Sequence, residues 1–237
     1  MPTTPDPLIS LVVPAFNEVA TIEQLLRRVA DAPFRKEIVV VDDGSTDGTA
    51  AVLARMADEL EDLRVLSPGA NRGKGAAVRD GIAATTGAIV VIQDADLEYD
   101  PKDLPRLIEP LRQGHADVVY GTRLRGGEPQ RAHLFWHYAG NRLLSLMTNV
   151  LFNTTISDME VGYKAFRGDL IRSITLVSND FRFEPEVTAK VLKIPDIRLY
   201  EVPISYYGRT FAEGKKITWR DGVKAVGALV RFRFGGS

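Results

Sequence analysis

Short apolar runs that end in polar or acidic clusters alternate with helical patterns through the first half of the chain. Three such runs occupy residues 8–13, 37–41 and 88–93, and a shorter run occupies residues 63–66. Continuous apolar runs of this length are typical of strands buried on both faces. Helical spacing of apolar residues covers the intervening segments 22–29, 46–60 and 74–85. This alternation predicts an α/β fold, a Rossmann-like, mostly parallel sheet flanked by helices.

The second half of the chain is less regular. Its pattern predicts strands or extended segments at 117–121, 161–166 and 199–207, and helices at 133–152 and 184–193. We interpret this half as an α+β elaboration of the same domain. The chain then divides into a flexible tail (1–7), one domain (8–214) and a basic amphipathic C-terminal segment (215–237).

Composition excludes several classes of function. The chain has 30 basic and 31 acidic residues, so no overall positive charge would attract nucleic acid. It contains no cysteine, which excludes disulfides and thiolate metal sites. The first seven residues lack the basic start of a secretory signal, and no apolar run reaches the roughly 18 to 20 residues that span a bilayer.

Three acidic residues, Asp94, Asp96 and Glu98, follow the apolar run that ends near residue 93. If the backbone stays extended, Asp94 and Asp96 lie on one face. Carboxylates brought together in this way would bind Mg²⁺ or Mn²⁺, which in turn would hold a diphosphate. A solvated acidic loop is the simpler alternative.

Other unusual segments also follow predicted strands, where the ligands of doubly wound sheets bind. Residues 42–49 carry two aspartates and then Ser45, Thr46 or Asp47 as a helix N-cap. Paired aspartates also occur in phosphoacceptor receiver domains, but those need a lysine at a later strand end. Residues 71–75 are rich in glycine, and either bind an anion or form a tight turn. They do not match the Walker pattern, because Pro68 stands where its first glycine belongs.

Three later segments admit two interpretations each. The acids of residues 158–160 are either surface residues or an acceptor-side carboxylate. The cations around Gly208 and Gly214 either close over phosphates or are solvated. In the last segment Trp219, Val223, Val226 and Val230 form an apolar stripe flanked by Lys216, Arg220, Lys224 and Arg231. That helix either docks on the domain or lies on a membrane surface.

Together, these motifs resemble the family 2 inverting glycosyltransferases of GT-A fold. The segments that carry the resemblance are Val12–Glu18, Val41–Thr49, Asp94–Asp96, Gly121–Arg123, Ser157–Lys164 and Tyr207–Thr210. Within the family the chain is most similar to the dolichyl- or polyprenyl-phosphate mannose or glucose synthases. The resemblance implies metal-dependent transfer of a hexose from GDP-mannose or UDP-glucose to a polyprenyl phosphate.

The resemblance also implies roles for individual residues. The donor nucleotide would contact Pro14, Ala15, Glu18, Val41, Asp43, Asp94 and Ala95, with Arg209, Lys215 and Lys216 closing over its diphosphate. Asp94 and Asp96 would bind the sugar and the metal-diphosphate, and Asp96 and Glu98 would hold Mg²⁺ or Mn²⁺. Arg123 and Arg131 would face the acceptor phosphate, and Asp158 would act on the acceptor side.

Many relatives carry transmembrane helices after this domain, which are not found in this sequence. We therefore expect a cytoplasmic protein peripheral to the membrane, unless a partner subunit supplies the anchor or the acceptor is not a lipid. Two alternatives stay open. One is a family 2 transferase that extends a glycan on another acceptor, and the other is a non-catalytic sensor of sugar nucleotides.

Overall fold

The computed structural model describes residues 6–126, 131, 135–208 and 219–235. Within them, one sheet contains β1 (Ile9–Ala15), β2 (Lys36–Asp42), β3 (Leu63–Leu66), β4 (Ile89–Ile92), β5 (Val118–Thr122), β6 (Lys164–Arg167) and β7 (Leu199–Pro203). The helices are α1 (Ile22–Ala30), α2 (Thr49–Glu59), α3 (Lys74–Ala84), α4 (Leu104–Arg112), α5 (Phe135–Phe152), α6 (Gly168–Ser173), α7 (Phe183–Leu192) and α8 (Trp219–Phe234). A single 3-10 turn, Pro101–Asp103, precedes α4.

The strand order is β3-β2-β1-β4-β6-β5-β7. All neighbouring strands are parallel except β6, which runs antiparallel to both β4 and β5. A mostly parallel sheet flanked by helices confirms the predicted GT-A fold class. Because β6 is reversed, its first residues lie at the edge where the parallel strands end.

Burial explains why the apolar runs form the central strands. In β1, Ile9, Leu11, Val12 and Val13 are all fully buried. Side chains that point to both faces are therefore covered, as in a sheet with helices on each side. The helix α1 instead buries one face, formed by Ile22, Leu25, Leu26 and Val29.

Most predicted elements of the first half are confirmed to within a few residues. In the second half β6 begins at Lys164, not near Val161, and residues 157–163 form a loop instead. The helices α4 and α6 were not predicted. Part of the predicted tail, residues 1–5, and residues 133 and 134 of the predicted long helix lie outside the described residues.

The helix α8 docks on α7 and α5, but only in part through the predicted stripe. Its buried residues are Ala225, Ala228, Leu229 and Phe232. Val223 and Val230 are exposed, so the predicted stripe is wrong at these two positions, whereas Val226 is partly buried and packs against the core. The small side chains of Ala225 and Ala228 lie on the buried side, where they permit close helix contact. None of the helices in the described segments is both long and apolar enough to cross a membrane.

Candidate active site

The carboxyl ends of β1, β2 and β4 bring together the residues that the sequence assigned to the donor. Pro14 pairs with Val41 in the register of β1 and β2, and Ala15 pairs with Asp42. On its other side β1 pairs with β4, which leads into Asp94 and Ala95. Ala15 and Ala95 are both buried. Their contact with a nucleotide stays a prediction.

Asp43 holds the glycine-rich segment against the end of β2. Its two carboxylate oxygens accept hydrogen bonds from the backbone N–H groups of Arg72 (2.9 Å) and Gly73 (2.7 Å). Asp43 is almost fully buried. A carboxylate with both oxygens engaged fixes this loop, and any contact with the nucleoside would use its remaining lone pairs.

The loop that follows Asp43 starts α2 differently from the prediction. Gly48, with φ of 99°, occupies the N-cap position, so none of Ser45, Thr46 and Asp47 is the N-cap. Asp47 nevertheless accepts the Thr49 N–H at 3.0 Å. The Thr49 hydroxyl in turn accepts the backbone N–H of Glu18 at 2.9 Å, which ties the loops after β1 and β2 together.

The glycines before α3 allow a close approach between two backbone segments. A Cβ at Gly73 would collide with the carbonyl of Asn179, and one at Gly75 with the carbonyl of Ser178. The carbonyl of Asn179 also accepts the N–H of Ala76 at 3.2 Å. The tight-turn interpretation of residues 71–75 therefore explains these glycines without an anion.

Lys74, between the two glycines, is the residue of this segment that reaches the site. Its Nζ lies 2.8 Å from Oδ1 of Asp94 and 3.3 Å from Oε1 of Glu184. Burial alone would lower the pKa of Lys74, but the charges of Asp94 and Glu184 outweigh it and raise that pKa. Lys74 thus remains a cation and orients Asp94.

Glu184 extends this contact into a buried chain of charges. It also pairs with Lys164, which is fully buried. The Nζ of Lys164 donates a hydrogen bond to the carbonyl of Met159 at 3.1 Å. The ammonium lies 4.7 Å from the centroid of the Tyr120 ring. The sequence did not indicate roles for Lys74, Lys164 and Glu184. It offered only a weak signal for Glu184, an acidic residue in the first turn of a helix that also carries Glu186, Thr188 and Lys190.

The acidic residues after β4 do not form the predicted extended array. The strand ends at Ile92, and Ala95 and Asp96 form a turn. Asp94 pairs with Lys74, while Oδ1 of Asp96 accepts the backbone N–H of Glu98 at 3.1 Å. Oε2 of Glu98 accepts the hydroxyl of Tyr206 at 2.9 Å.

Among the described residues, no three acidic or histidine side chains are grouped closely enough to hold a metal ion. Asp96 and Glu98 still offer hard oxygen donors two residues apart. Mg²⁺ is commonly bound by one or two carboxylates, with substrate phosphates and water completing its shell. The residues present fit such a site.

Arg123, predicted to face the acceptor phosphate, is held by Asp158. Its Nε and Nη2 donate to Oδ2 and Oδ1 of Asp158, each at 2.7 Å, and its guanidinium lies 5.0 Å from the Tyr206 ring centroid. Asn141 on α5 donates to the same carboxylate at 2.8 Å. Burial would raise the pKa of Asp158, but the charge and hydrogen bonds of Arg123 outweigh it and lower that pKa.

The loop 157–163 connects the arginine with the donor side. At its start Asp158 binds Arg123, and at its end Gly162 lies against Oδ2 of Asp94, where a Cβ would collide. The N–H of Gly162 donates to the hydroxyl of Tyr99 at 3.1 Å. Glu160 lies midway in this loop.

Arg131 lies beside the segment that leads to the predicted cationic loop. Its backbone N–H donates to the carbonyl of Tyr206 at 3.0 Å, and its Nη1 donates to the carbonyl of Gly208 at 3.0 Å. Arg209, Lys215 and Lys216, which were predicted to close over the diphosphate, lie outside the described residues.

Comparison with known proteins adds a family match that covers most of the chain. The model of "Glycosyl transferase family 2" matches residues 10–175. A dodecaprenyl-phosphate galacturonate synthase of Rhizobium johnstonii is 31% identical over 87% of this chain, which spans 61% of that protein. An undecaprenyl-phosphate mannosyltransferase of Micrococcus luteus is 32% identical over 86% of this chain and 85% of its own length.

Solved structures agree on the fold. A glucosyl-3-phosphoglycerate synthase from Mycobacterium tuberculosis, in complex with Mn²⁺, UDP and phosphoglyceric acid, matches with a TM-score of 0.74 and 23% identity. The match covers 98% of this chain and 80% of that one. The same enzyme was also crystallised with Mg²⁺ and UDP. At this identity the likeness establishes the architecture alone.

Proposed function

Because this chain belongs to glycosyltransferase family 2, we propose that it transfers mannose or glucose from GDP-mannose or UDP-glucose to a polyprenyl or dolichyl phosphate, with inversion. Its membership makes it a glycosyltransferase. Two relatives are named for transfer to dodecaprenyl or undecaprenyl phosphate, which supports the acceptor class.

One observation carries the proposal. The loop 157–163 contacts Arg123 at one end and Asp94 at the other. This one loop therefore contacts both a cation suited to a phosphate and a carboxylate suited to a sugar. This arrangement fits a reaction in which a phosphate oxygen attacks a bound sugar.

The residues divide the chemistry between them. Arg123 positions the acceptor phosphate, through Nη1, because Asp158 binds the other two guanidinium nitrogens. Asp158 acts through Arg123, as a positioning residue. Asp94, held by Lys74, binds the sugar hydroxyls. A phosphate oxygen forms the new bond to the anomeric carbon as the bond to the diphosphate breaks on the opposite side, which inverts configuration.

A divalent cation held by Asp96 and Glu98 would supply charge neutralisation for the departing nucleoside diphosphate. The acceptor needs no strong base, because the second ionisation of a phosphate monoester lies near pH 6. This requirement for Mg²⁺ or Mn²⁺ is part of the proposal, supported by the hard donors of these two side chains.

The test of this function uses the purified chain, labelled donor and polyprenyl phosphate in detergent. We expect a sugar lipid in which one phosphate links the two parts, formed only with Mg²⁺ or Mn²⁺ present. Label on a glycan would favour the alternative family 2 transferase. Donor that is bound but neither transferred nor hydrolysed would favour the non-catalytic sensor, and either result would contradict the proposal.

Exposed apolar faces support peripheral association with a membrane. On α5 the exposed large apolar side chains are Phe135, Tyr138, Leu143, Leu146 and Val150, and on α8 they are Val223, Val230 and Phe234. The helices meet where Arg233 lies over the Phe152 ring, 5.4 Å from its centroid. Apolar faces of this extent commonly mark an interaction surface.

Charges next to these faces favour anionic lipid as the occupant. Arg142 on α5 and Lys224, Arg231 and Arg233 on α8 are exposed. Arg182, Lys224 and Arg231 also line a cleft between α8 and the start of α7. Two copies packed through this surface would oppose like charges, whereas anionic headgroups would pair with them. An anchoring partner subunit and a cytoplasmic location stay predictions.

Replacing both Leu146 and Val150 by glutamate should weaken binding to anionic lipid vesicles by at least about tenfold. The reason is that both side chains would lose apolar burial and gain repulsion. Sedimentation with vesicles measures the effect. The control is Tyr200→Glu, a half-exposed apolar residue on β7. Equal binding by the double variant and the control would exclude α5 as the docking face.

A further inference from the structure

Glu160 lies in the loop that links the residues proposed to bind the acceptor with those proposed to bind the sugar. It lies two residues after Asp158, which binds Arg123, and two residues before Gly162, which lies against Asp94. Its Oε1 is buried and has no hydrogen-bond partner among the described residues. A carboxyl oxygen so placed lacks the partner that buried polar groups normally have.

The surroundings of Glu160 favour its neutral form. Burial and, after it, the negative charge of Glu184 on α7 raise the pKa of Glu160 to about 7, against the opposing effect of the cations nearby. Those cations are Lys164 on β6 and Arg123 after β5, and Asp158 in the same loop adds a further negative charge. Lys164 is already paired with Glu184, and Arg123 with Asp158.

We propose that Glu160 is a catalytic residue of the acceptor subsite, which takes the last proton of the acceptor phosphate and then donates a hydrogen bond to the resulting dianion. This inference rests on the proposed function. The proton moves from the phosphate oxygen to a carboxylate oxygen of Glu160. The dianion then attacks the anomeric carbon, the nucleoside diphosphate leaves with the electron pair of the broken bond, and Glu160 returns its proton to solvent after release.

Electrostatics gives the reason for a proton at this position. The site already holds the carboxylates of Asp94, Asp158 and Glu184, so an ionised Glu160 would repel a phosphate dianion. The neutral acid removes that repulsion and supplies a donor. A phosphate dianion bound beside neutral Glu160 and a phosphate monoanion bound beside ionised Glu160 contain the same total number of protons. Both combinations therefore give the same complex.

This role predicts a bell-shaped pH dependence of kcat/KM for the acceptor. The lower limb follows ionisation of the phosphate near pH 6, and the upper limb follows loss of the proton of Glu160. With its pKa at about 7, the neutral fraction of Glu160 falls about 100-fold by pH 9. Glu160→Gln, which is neutral at every pH and retains a donor, should keep the lower limb and lose the upper one.

Glu186→Gln is the matched control. Glu186 is a buried glutamate of α7 that accepts the backbone N–H groups of Val177 and Ser178 and pairs with Lys190, and it has no role in the proposed chemistry. We expect this variant to melt at a lower temperature but to keep the bell-shaped pH dependence of kcat/KM for the acceptor. Thermal melting of both variants separates lost stability from a changed pH profile.

Two outcomes would overturn different statements. If Glu160→Gln keeps the same bell while the labelled product is a glycosyl phosphate, the role of Glu160 is wrong and the proposed function stands. If the product is a sugar on a hydroxyl group, the proposed function itself fails. In that case Glu160→Gln should lose activity at every pH, because a hydroxyl needs an ionised base.

Discussion

Asp96→Asn should lower kcat by about 10²–10³-fold at saturating Mg²⁺ or Mn²⁺. The substitution keeps the size of the side chain and removes the charge that would help to hold the cation at the diphosphate. Oδ1 of Asp96 also accepts the Glu98 N–H, and an asparagine oxygen can accept the same bond. The turn should therefore survive, and the loss should be specific to the departure of the nucleoside diphosphate.

A titration with Mn²⁺ at fixed donor concentration measures this effect. Asp96→Asn should need more metal for half-maximal rate and should not reach the wild-type plateau. The matched control is Asp169→Asn, an exposed aspartate paired with Arg167 at the start of α6. Near-full activity of Asp96→Asn at the wild-type metal requirement would contradict the assignment of the metal to this residue.

Arg123→Lys should lower kcat/KM for the acceptor by about 10²–10³-fold, although the charge is conserved. A lysine cannot hold Asp158 through two nitrogens and present a third to a phosphate. It also loses the planar contact with the Tyr206 ring. The lost hydrogen bonds to the buried Asp158 should reduce the free energy of unfolding by about 1–3 kcal/mol.

Steady-state kinetics with each substrate varied distinguishes the acceptor side from the donor side. The KM for the sugar nucleotide and the slow hydrolysis of the donor should change little in Arg123→Lys. Arg125→Lys is the control, because Arg125 is an exposed arginine two residues away that pairs with Glu201 at 3.0 Å. A proportional rise in the donor KM would count against an acceptor role for Arg123.

The sequence predicted β1, β2 and β4, and the edge at which their loops meet, because the signals for these strands are local. The apolar runs of β1, β2 and β4 are continuous, and each is followed by polar residues within the next few positions. Parallel pairing then brings those loops to one edge without further information. The same reasoning failed for Asp96, because it assumed that the extended backbone continues past Ile92.

The charge chain through Lys74, Glu184 and Lys164 could not be predicted in this way. Lys74 and Glu184 are more than 100 residues apart, and their contact depends on how α3 and α7 approach each other. The exposed face of α5 has a related cause. Apolar residues surround much of that helix, so periodicity alone does not reveal that Leu144 is buried while Leu146 is exposed.

Because β6 runs in the reversed direction, the residues proposed to bind the donor and those proposed to bind the acceptor lie in different parts of the chain. The loops after β1, β2 and β4 hold the residues proposed to bind the donor, whereas the loop before β6 reaches the same edge from a strand that runs the other way. Insertions or exchanges in residues 153–157 would therefore alter the acceptor side while the donor strands keep their register. If the proposed function holds, a change in this single connection would give the same donor-binding sheet a new acceptor.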